Sequence, residues 1–88
     1  MQTRTIIFQG GELDIHGIPQ KFHRYLVIAS PYEDLGQNKC IASVMAITGA
    51  PELAAPHFVG DTETAAIEKA FTALRELKGN RGLREFSN

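Results

Sequence analysis

The residues of this chain that could do chemistry are three histidines, one cysteine and a pair of adjacent carboxylates: His16, His23, His57, Cys40, Glu33 and Asp34. Zinc takes histidines and thiolates at short recurrent spacings; no two histidines stand so, and Cys40 has no second thiol. Any metal site would have to be assembled in three dimensions from ligands lacking their usual neighbours. Cys40 and a histidine would make a nucleophile with its base. Its context, NKCIAS, sets it at the mouth of an apolar run, where a small buried hydrophobe is the simpler reading. Glu33 and Asp34 lie in PYEDLGQN, whose proline, aspartate, glycine and asparagine are turn chemistry, so both read as carboxylates on an exposed loop. GGELDIHG has neither the later glycine nor the lysine of a phosphate loop, and it leads into a strand pattern. The expectation is no catalytic residue, no metal and no cofactor.

Composition sets the scale of what must hold these residues. Eighty-eight residues make one domain, able to bury about 60% of the surface its unfolded form exposes. A hydrophobic content of 43% is that of a globular chain, and a net charge of −1 creates no long-range field for nucleic acid or anionic lipid. With a single cysteine there is no intrachain disulfide, which fits a reducing compartment. No window is apolar for the length of a membrane-spanning helix, and MQTRTIIFQGGELD lacks the long apolar stretch of a signal peptide. A cytoplasmic location with no membrane contact is expected.

The elements follow from periodicity. RTIIFQ, GG and ELDIHG predict a hairpin turning at Gly10-Gly11, with Phe8 opposite Leu13 and Ile6 opposite Ile15. FHRYLVIAS (22–30) predicts a strand whose unalternating LVI centre is buried on both sides, followed by a turn over 31–38. KCIASVMAIT (39–48) is long enough for a helix, but its β-branched residues favour a strand. HFV (57–59) is a candidate short strand. The helix begins at Asp61 or Thr62, carries Ile67, Ala70, Phe71, Leu74 and Leu77 on one stripe, and stops at Gly79. The predicted fold is α+β: a three- to five-stranded antiparallel sheet with one C-terminal helix packed on one face. Residues 1–79 form the domain, and 80–88 a polar C-terminal tail that frays.

VGDTETAAIEKAFTALREL resembles the C-terminal half of HicB-type antitoxins, in which a last strand runs into a Gly-Asp-Thr turn and a helix with alanines in its inner stripe. Gly60, Asp61, Thr62, Ala66 and Ala70 fall at the matching places; Thr64 and Ala65 stand where that family has an acidic pair. The resemblance implies a small β-β-β-α domain, like the double-stranded-RNA-binding fold, that binds another protein and dimerises. The chain is also similar to the double-stranded-RNA-binding domain itself, but DTETAAIEK lacks that domain's lysine cluster at the helix start.

Two long strands apolar on both sides and one helix to cover them leave a surplus of apolar sheet, which a homodimer or another protein would bury. The function expected first is a small non-catalytic protein-binding module, dimeric, working through a sheet edge or the uncovered face. Arg24, Tyr25 and Tyr32 are its candidate contacts, being of types enriched where proteins meet. Tyr25 and Tyr32 read equally well as half-buried sheet residues. Two alternatives stand. One is a ligand-binding protein or enzyme with a pocket between helix and sheet, using His16, His23 or Cys40. The other is an RNA binder using Arg81 and Arg84, disfavoured by the lack of a dense basic stripe.

Overall fold

A computed structural model describes residues 3–18 and 20–86. It contains strands β1 (Arg4–Gly10), β2 (His23–Asp34), β3 (Gln37–Ile47) and β4 (His57–Gly60), helix α1 (Glu63–Arg75) and strand β5 (Arg84–Phe86). The strands form one sheet in the order β4-β3-β2-β1-β5, with every pairing antiparallel. The architecture is therefore α+β with a single helix on one face of the sheet, and residues 39–47 are strand as their β-branched residues indicate, with Thr48 turning out of it at φ 29°.

β1 does not fold back on 12–17. Its partner is β2, with Phe8 opposite Tyr25 and Ile6 opposite Val27. Gly10 and Gly11 are there for close approach and not for a two-residue turn. Gly10 takes a φ of +136°, and a Cβ on Gly11 would lie 1.7 Å from the Lys21 carbonyl oxygen. The intervening segment is a loop organised by Asp14, whose carboxylate accepts from the backbone N–H groups of His16 and Ile18 and from the Gln20 amide. Leu13 and Ile15, expected under the sheet, are 59% and 95% exposed on this loop.

The turn expected over 31–38 is confined to Leu35 and Gly36. Both have positive φ, 51° and 79°, the signature of a two-residue hairpin turn that matches the strand twist. β2 and β3 therefore continue past the helix as a two-stranded arm in which residues 31–38 are all exposed.

Thr62 caps α1 by accepting a 3.0 Å hydrogen bond from the Ala65 N–H. The inner face is Ala66, Ile67, Ala70 and Leu74, with Phe71 and Leu77 half-buried beside them. The helix stops at Arg75, earlier than its stripe suggests, and Lys78 lies beyond it. The last turn tightens, the Leu77 N–H reaching the Leu74 carbonyl at 3.1 Å, and the buried Asn80 amide donates to the same oxygen at 2.8 Å. Gly79 has the expected left-handed conformation, φ +88°. Residues 80–86 beyond it are not a frayed tail. Leu83 is 2% exposed in the core, and Arg84–Phe86 pair with β1 as an edge strand.

The core lies between α1 and one face of the sheet: Ile6 and Phe8 from β1, Tyr25, Val27 and Ala29 from β2, Cys40 and Ala42 from β3, and the helix stripe. Phe8 and Phe71 stack with centroids 4.7 Å apart. Residues 49–56 close the core beyond the helix, with Ala50 buried and Leu53 packed against it.

Candidate interaction surface

Side chains alternate across a strand, so each residue that faces α1 has neighbours facing away. The registers place those neighbours in rows. Phe86 pairs with Ile7, Ile7 with Leu26, and Leu26 with Met45, one apolar row across β5, β1, β2 and β3. Alongside run Thr5, Ile28, Ser43 and His57, then Ser30, Ile41 and Val59. Arg24, Gln9 and Ile47 bound this face at one end, and Tyr32 and Lys39 at the other. None of these residues belongs to the core cluster or to the side chains packed against it. Met45 and Phe86 are 60% and 45% exposed, while Ile7, Leu26, Ile28 and Ile41 are half-buried by one another. Among the described residues the helix covers one face of the sheet and nothing of comparable size covers the other.

Of the candidate contacts, Arg24 and Tyr32 lie on this open face. Arg24 donates to the Gln9 side chain at 3.2 Å and sits 5.7 Å from the Phe22 ring centroid. Tyr25 is on the opposite side, fully buried, donating its hydroxyl to the Pro51 carbonyl at 2.7 Å and accepting from Asn80 at 3.0 Å. It supports the core. Burial pushes its phenol above the ordinary 10.0, opposed by the Asn80 hydrogen bond. Arg81 and Arg84 are both exposed. The Arg81 carbonyl accepts from Arg75, and Arg84 stands opposite Gln9 on the edge strand.

The titratable candidates are scattered. His16 is on the exposed loop, His57 on β4 with Nδ1 3.1 Å from the Ser43 hydroxyl, and His23 beside Asn80 at 2.6 Å. Cys40 is in the core, 5% exposed, and Glu33 and Asp34 are on the arm. Among the described residues no group of three or more His, Cys, Asp or Glu could hold a metal ion. Lys39 hydrogen-bonds Asp61 just before the helix cap, which holds the Asp61 carboxyl below its usual range and raises the Lys39 ammonium. Asp61 is mostly exposed, so solvent screens this pair.

A second feature is a groove of about 400 Å³ between α1 and β1, floored by Ile6, Phe8, Ile67 and Phe71 and rimmed by Arg4, Glu68, Arg84 and Glu85. Arg4 bridges Glu63 at 3.0 Å and lies 3.9 Å from Glu85.

The sequence foretold an uncovered face but did not single out Ile7, Leu26, Met45 or Phe86. Their row exists only through pairings between distant segments, and the unalternating LVI was its one local sign. No protein-family model, curated protein or solved structure matches the chain. No helix among the described residues is long and apolar enough to cross a membrane.

Proposed function

We propose that this chain is a small non-catalytic protein-binding module that engages its partner through the open sheet face. The observation that carries this reading is the Phe86–Ile7–Leu26–Met45 row, apolar and lying outside the core. Contiguous apolar surface of this kind marks sites where proteins meet, and ionised groups stay at its rim, as in the centre of an interface. The HicB-like turn and helix at Gly60–Ala70 are consistent with a protein-binding role. The test is a comparison of the wild-type chain with Leu26→Glu as bait in extracts of the native cell, with circular dichroism confirming the fold of each. Loss of specific companions is expected for Leu26→Glu; identical companions for both proteins would overturn the reading.

The groove between α1 and β1 favours a second reading, a ligand-binding protein with a helix–sheet pocket, because its floor is apolar while its rim carries both signs of charge. Protection of backbone amides in α1 and β1 by small apolar ligands would support it. An RNA-binding role for Arg81 and Arg84 would show as salt-dependent retention of RNA on filters.

A further inference from the structure

We draw no further inference here: the strongest candidate, the open sheet face with its Phe86–Ile7–Leu26–Met45 row, carries nothing beyond the reading above because nothing in the structure shows what covers it.

Discussion

The amide of Asn80 donates to the hydroxyl of Tyr25, 3.0 Å away and 55 residues earlier in the chain, at a point sealed from solvent. The same amide donates to the Leu74 carbonyl, which leaves its oxygen to face His23 Nδ1 at 2.6 Å. That ring nitrogen therefore carries a hydrogen. One side chain thus ties the helix end, β2 and the start of the last segment together, and among the described residues no buried side-chain polar atom is left without a hydrogen-bond partner.

Asn80→Leu removes this hub: the Tyr25 hydroxyl loses its donor, His23 Nδ1 loses its acceptor, and the Leu74 carbonyl keeps only the Leu77 N–H. A destabilisation of about 2–4 kcal/mol is expected, from one to two lost bonds with desolvated groups left behind. Urea denaturation measures it. Asn80→Asp should not rescue, since a carboxylate cannot donate to the Tyr25 hydroxyl or the Leu74 carbonyl.

The raised Tyr25 phenol gives an alkaline limb to stability. The folded state holds this proton more tightly than the unfolded chain, whose tyrosines ionise near 10.0. The contribution is complete below that pH and is lost as pH rises through the folded value. Denaturation midpoints should fall above pH 10, and absorbance titration should show a delayed tyrosine that is absent in Tyr25→Phe.

Leu35 occupies the first position of the two-residue turn at φ 51° while 99% exposed. A leucine there is strained and buries nothing; asparagine accepts the conformation readily. Leu35→Asn should stabilise the isolated chain by about 0.5–1 kcal/mol, read as a higher melting temperature. Unchanged or lower stability would mean that the leucine is held by contacts the subunit does not show.

Truncation before Arg84 strips β5 from β1 and bares the backbone of Ile7, Phe8 and Gln9. A loss of about 1–3 kcal/mol is expected from the broken ladder. The larger effect should be aggregation, visible by light scattering at rising concentration, because an exposed flat edge recruits further strands.

Much of this fold was legible locally. Alternation placed Ile6 and Phe8 on one face, β-branching identified β3, and Thr62 and Gly79 bracketed the helical region. What failed was what depends on distant partners. Gly10-Gly11 carries the same local signal whether it makes a turn or allows a close approach, and only the position of Lys21 and Gly82 decides. Arg84-Glu85-Phe86 has no apolar period and forms a strand because β1 offers a free edge. Asn80 looked like polar tail, since nothing in its neighbours reports the buried Tyr25 hydroxyl that it meets. The surplus of apolar sheet could be read from FHRYLVIAS and KCIASVMAIT; the row that organises it needed the registers of three strand pairs.

The pairing of Ile7 with Phe86 has a kinetic consequence. β1 must wait until residues 11–86 have followed it from the ribosome before its outer edge is occupied. Loop closure over such a span is slow beside the neighbouring β2–β3 hairpin, so the hairpin should nucleate and β5 should lock last. Nascent chains stalled short of that point would be the species most in need of a chaperone.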